Sequence, residues 1–120
     1  MHFYEKVPSW YVDIKKRATA NRILTFCKHD LMLQDRKISL HWFRELGAYS
    51  GKSIHSGSAF EAKMRAWGKF DGKHNEVWVN MDQPLDEIKK TVAHEMRHIF
   101  QYAGRWTISE ADAERYASGY

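Results

Sequence analysis

The sequence predicts an α+β fold: a small mixed sheet packed against an N-terminal helix, a long central helix and a short C-terminal helix. Three observations predict it. Leu85, Ile88, Val92, Met96, Ile99 and Ala103 recur at helical spacing and form one apolar stripe. Residues 60–70 alternate like a two-faced strand, and Asp71-Gly72 follows as a hairpin turn signal. Near the N-terminus, Trp10, Ile14, Ala18, Ile23, Leu24 and Cys27 follow helical spacing with a drift midway.

Taken in order, residues up to Pro8 read as an extended lead-in. Ser9 can cap a helix that starts near Trp10 and ends near Lys28 or His29. Residues 37–43 alternate and are rich in strand formers. Residues 47–58 hold three Gly and four Ser and read as a loop. After the 60–70 strand and its turn, Glu76-Val77-Trp78-Val79-Asn80 reads as the returning strand. The short turn Asp82-Gln83-Pro84 leads into the central helix. There Asp82 can cap, Pro84 suits the first turn, and Asp86 and Glu87 complement the helix dipole. Gly104 is placed to end it. Residues 109–117 read as a short final helix.

At 120 residues a single domain is expected. Five Trp, six Tyr and six Phe argue against disorder over most of the chain. One cysteine, Cys27, excludes an intramolecular disulfide and a Cys-rich zinc site, and its apolar helical setting predicts a buried thiol. No signal peptide and no apolar run of membrane length are visible, so a cytoplasmic, membrane-free protein is expected. The net charge of +4 permits weak attraction to nucleic acid or an acidic partner. The charge is spread, however, and the densest run, Lys15-Lys16-Arg17, reads as the wet face of a helix.

The central helix carries the chemistry. His94-Glu95-Met96-Arg97-His98 spells H-E-x-x-H. Residues four apart lie on one helix face, so His94 and His98 can bind one Zn²⁺ while Glu95 activates water as a general base. Both histidines fall on the flank opposite the apolar stripe, where an outward-facing cleft can hold a metal. The rival reading is an ordinary amphipathic helix with polar residues on its wet face. Arg97, Gln101 and Asn80 could support the ligands from behind, although polar helix surface is the commoner role for such residues.

A strand, a turn, an H-E-x-x-H helix and then an acidic helix together resemble the zincin metallopeptidases. The tail Glu110-Ala111-Asp112-Ala113-Glu114-Arg115-Tyr116-Ala117 resembles the acidic-Ala-x-x-aromatic-Ala segment of the compact ImmA/IrrE-like branch, and the SprT-like proteases are further relatives to consider. The resemblance covers roughly the last half of the chain. It implies a third metal ligand on the helix after the motif. Register places Asp112 there, with Asp where Glu is usual; Glu110 is the alternative, then Glu114. Capping patterns compete, since Ser109-x-x-Asp112 and Thr107-x-x-Glu110 both read as capping boxes. His2, His29, His41, His55 and His74 have no positional support as ligands.

The expectation is therefore a zinc-dependent hydrolase, a peptidase acting on a peptide or protein substrate. The resemblance implies an edge strand that holds an extended substrate, drawn from residues 60–70 or from Glu76–Asn80. It also implies an oxyanion partner, for which Tyr49, His55, His74 and Tyr116 are candidates. The alternative is a zincin-fold binding module for nucleic acid or protein with little or no hydrolysis. The intact Glu95 argues against it, because metal binding alone does not need that residue.

Overall fold

The computed structural model describes residues 9–43 and 67–120, with residues 9 and 10 as backbone only. Three helices and three strands follow in the order α1 (Ser9–Asp30), β1 (Ser39–Phe43), β2 (Gly68–Asp71), β3 (Glu76–Asn80), α2 (Leu85–Ala103) and α3 (Glu110–Ala117). The expected lead-in, the 47–58 loop and the first part of the 60–70 strand lie outside the described residues.

The sheet is small and mixed. Its order is β1-β3-β2, with β1 parallel to β3 and β2 antiparallel to it. Every residue of β3 is buried, and Val77 and Val79 point into the core. A parallel neighbour on one side and an antiparallel one on the other occupy both of its hydrogen-bonding edges. The β2–β3 connection is longer than Asp71-Gly72 predicts. Asp71 still pairs with Glu76 across the ladder, and residues 72–75 make the turn. Asn75, at φ 54°, takes the left-handed position that a two-residue turn assigns to Gly72.

The core lies between the sheet and the helices. Ile88, Val92, Met96 and Ile99 of the predicted stripe are fully buried against Ile23, Leu24 and Cys27 of α1 and Val77 and Val79 of β3. At roughly 1.5–3 kcal/mol per large aliphatic side chain, this stripe is a main hydrophobic term of the fold. Leu85 is largely exposed, because it precedes the turn where α2 reaches the core. In α1 the core is met from Thr19 onward, so Ile14 and Ala18 are exposed, contrary to their place in the predicted stripe. Lys16 is also no free surface cation: its Nζ donates to the Met81 carbonyl over 2.8 Å and ties α1 to the end of β3.

The cap of α2 differs from expectation. Pro84, extended at ψ 154°, is the N-cap and makes no side-chain cap bond, and Asp82 lies in the turn before it. Gln83 holds that turn instead. Its buried amide donates to the carbonyls of Trp67 (2.9 Å) and Asn80 (2.8 Å) and accepts from Thr91 Oγ1 (2.6 Å). One side chain thus fixes the start of β2, the end of β3 and the second turn of α2 together. No helix among the described residues is long and apolar enough to cross a membrane.

Candidate metal centre

The flank of α2 opposite the stripe is covered rather than open. The Phe70 ring of β2 stacks on His98, with centroids 4.8 Å apart, and α3 packs over His94. His98 is therefore 2% exposed and the His94 side chain 15% exposed. The expectation of outward-facing histidines is corrected in this respect, because a third helix and the edge strand bury both. Between them runs a cleft of about 620 Å³ whose walls include Trp67, Gly68, Lys90, Glu95 and both histidines.

Each imidazole has one nitrogen committed to an outer partner. Gln101 Oε1 accepts the Ser109 backbone N–H (3.1 Å), while its Nε2 donates to the Ser109 carbonyl and to Asp112 Oδ2. The amide orientation is thereby fixed, so His98 Nδ1, 2.9 Å from Gln101 Oε1, must be the donor of that bond. His94 Nδ1 lies 3.0 Å from Glu114 Oε1, and a carboxylate only accepts. The Nε2 atoms of both rings then face the same point, 3.2 Å apart.

Glu110 closes that point. Its Oε1 is 2.9 Å from His94 Nε2, its Oε2 is 3.1 Å from His98 Nε2, and the two Nε2 atoms are 3.2 Å apart. Among the described residues, His94, His98 and Glu110 are the group whose ligand atoms converge in this way. Two nitrogens bound to Zn²⁺ at the usual distances stand about 3.3 Å apart at tetrahedral angles, so the spacing fits the ion. The donor set fits as well, since two imidazole nitrogens and a carboxylate oxygen are ligands that Zn²⁺ accepts.

Asp112 is elsewhere. Arg97 Nε donates to its Oδ2 over 2.6 Å, Arg97 Nη2 reaches Oδ1 at 3.2 Å, and Gln101 adds a third bond. The Arg97 and Gln101 bonds hold its carboxyl down at about 2. Arg97 is itself enclosed by the rings of Phe100, Tyr116 and Trp106, at 4.7, 5.3 and 5.5 Å. Glu110, the alternative of the sequence reading, faces the two histidines where the register placed Asp112, and Asp112 is turned onto Arg97. The capping reading is right for Ser109, whose Oγ accepts from the Asp112 N–H at the start of α3. The reciprocal bond of a capping box comes from Gln101, which binds the Ser109 N–H in place of the Asp112 carboxylate.

Glu95 is buried and lines the cleft beside the histidines. Gly68 of β2 lies directly against it. A Cβ there would stand 3.1 Å from Glu95 Oε2 and 2.5 Å from Thr91 Cγ2, so only glycine lets the strand approach this closely. Of the expected oxyanion partners, Tyr116 Oη donates to Asp30 Oδ2 (2.8 Å) and His74 pairs with Asp71 in the hairpin turn (3.0 Å). Neither faces the histidines, and Tyr49 and His55 lie outside the described residues. The sequence singled out Gln101 but not Gly68, Phe70, Gln83 or Glu114's bond to His94. Glu114 alone carried a readable signal, since it follows Glu110 by four residues on one helix face. No family model, no curated protein and no solved structure matches the chain.

Proposed function

We propose that this protein is a zinc-dependent peptidase of the zincin type, with His94, His98 and Glu110 as metal ligands and Glu95 as general base. One observation carries the reading: both Nδ1 atoms have outer partners, and both Nε2 atoms converge with the Glu110 carboxylate in the cleft that Glu95 lines. The H-E-x-x-H motif and its resemblance to the zincins support it.

When bound, the ion supplies Lewis acidity that polarises a carbonyl and acidifies water. The chain's own residues do the rest. Glu95, at the cleft wall, takes the proton of the attacking water and passes it to the leaving amine. Gln101 and Glu114 keep the imidazoles in one tautomer and orientation. β3 is paired on both edges and has no backbone to offer a substrate. β2 borders the site, and Trp67, Gly68, Lys69 and Phe70 line the cleft. We assign β2 as the cleft wall along which an extended substrate lies.

The test is hydrolysis of a quenched-fluorescent peptide library by zinc-loaded protein and its Glu95→Gln variant. The variant should retain the metal and lose at least about 10²-fold in rate. Equal rates in the two proteins would remove Glu95 from the mechanism and leave the peptidase reading without its base.

A further inference from the structure

A second concavity lies at the far end of α2, and neither the metal centre nor the cleft uses it. It holds about 490 Å³, and its walls among the described residues are Arg36, Tyr102, Ala103, Arg105, Trp106 and Ile108. Two guanidiniums flank four apolar or aromatic side chains, and no described wall residue is acidic. Tyr102, Trp106 and Ile108 are each at least 40% exposed.

The surface is built rather than incidental. Trp106 is half-exposed, yet its ring is fixed from three sides. Phe100 meets it edge-on at 5.0 Å, the Arg97 guanidinium sits 5.5 Å from its centroid, and Gly104 lies beneath it. A Cβ on Gly104 would come within 3.2 Å of the indole, so that glycine is spent on seating Trp106. The left-handed position of the helix end falls on the next residue, Arg105, at φ 60°. Its N–H donates to the Tyr102 carbonyl, and the Trp106 N–H to the Gln101 carbonyl, which closes a Schellman-type turn. A non-glycine residue there stores backbone strain, which persists where the side chain is needed. Across the pocket, Arg36 Nη1 donates to Asn75 Oδ1 over 2.9 Å, which holds that guanidinium in place.

We propose that this face docks an acidic segment of a partner protein. One apolar or aromatic side chain of the partner seats on Tyr102, Trp106 and Ile108, and neighbouring carboxylates pair with Arg36 and Arg105. Trp, Tyr and Arg around a pocket are the residues that dominate binding energy at protein interfaces. Fork-shaped guanidiniums select carboxylates in particular. A single short concavity with an aliphatic wall suits one anchoring side chain better than a run of stacked bases, which needs an extended groove. The inference does not depend on the metal centre.

The experiment is a two-dimensional amide and indole NMR titration of the full chain with the blocked pentapeptide DEFED, its charge-reversed counterpart KKFKK and a ten-nucleotide poly(dT). DEFED should shift the Trp106 indole and Arg105 signals and bind at least about tenfold more tightly than KKFKK. Arg36→Ala and Arg105→Gly should each weaken it about tenfold or more. Arg105→Gly should at the same time raise the thermal unfolding midpoint, since glycine relieves the left-handed strain. That rise separates lost binding from lost folding. No DEFED-induced shift at Trp106 by 2 mM peptide, or affinity unchanged in both variants, would overturn the proposal. Tighter binding of poly(dT) with the same sensitivity to the two arginines would overturn it in favour of nucleic acid. Concentration-dependent self-association abolished by Arg105→Gly would assign the face to a second copy instead.

Discussion

Arg97 Nε donates to Asp112 Oδ2 over 2.6 Å, and this pair decides which tail carboxylate meets the histidines. Asp112 and Glu110 are two residues apart on α3, so they project about 200° apart around the helix. With Asp112 turned onto Arg97, Glu110 is left facing His94 and His98. The pair pins α3 to α2 and leaves Glu110 turned towards the histidines.

Asp112→Asn should therefore cost about 1–2 kcal/mol of stability, measured by urea unfolding, and leave zinc affinity within a few fold of wild type. The pH dependence has a definite sign. The Asp112 carboxyl lies at about 2, below its ordinary 3.8, held there by Arg97 and then Gln101. A depressed carboxyl stabilises the fold above its ordinary value and loses that contribution as pH falls. Wild type should thus lose stability relative to Asp112→Asn between about pH 4 and 2. Parallel pH profiles of the two proteins would contradict the assignment.

Much of this architecture is legible in the sequence, and what is not has physical reasons. The α2 stripe and β3 are readable because burial on a regular element imposes a period. The pairing of His94 with His98 is readable because residues four apart share one helix face. Which tail carboxylate faces the histidines is not legible, because Glu110, Asp112 and Glu114 are chemically alike. The position of Arg97, 15 residues before Asp112, sets Asp112 apart from the two glutamates. Gly68 and Gln83 carry no local signal at all, since their roles arise from contacts with Thr91 and Glu95 across the fold. In α1 the periodicity is real, but the core meets only its second half.

Gln101→Ala should weaken zinc binding by about 10–100-fold, measured by competition with a chelating dye. The side chain is fully buried and supplies the acceptor for His98 Nδ1. Its loss frees the ring to rotate or to place its proton on Nε2. Unchanged affinity would show that the His98 orientation is set by Phe70 stacking alone.

Gly68→Ala should slow hydrolysis more than it lowers stability. The added methyl meets Thr91 Cγ2 at 2.5 Å, so the strand must move away from α2. Overpacking of this kind costs about 1–3 kcal/mol. If β2 bounds the substrate cleft as proposed, its displacement also disturbs the site beside Glu95, so kcat/KM on a peptide substrate should fall by at least about tenfold. A stability loss with unchanged kcat/KM would sever β2 from the substrate.

The most direct test of the metal centre is zinc content, by elemental analysis after dialysis, of wild type, Glu110→Gln and Asp112→Asn. Glu110→Gln replaces an anionic ligand by a neutral amide of the same shape. The account predicts about one zinc per chain in wild type and Asp112→Asn, and well under half of that in Glu110→Gln. Full zinc in Glu110→Gln with loss in Asp112→Asn would contradict it and return the third-ligand position to Asp112.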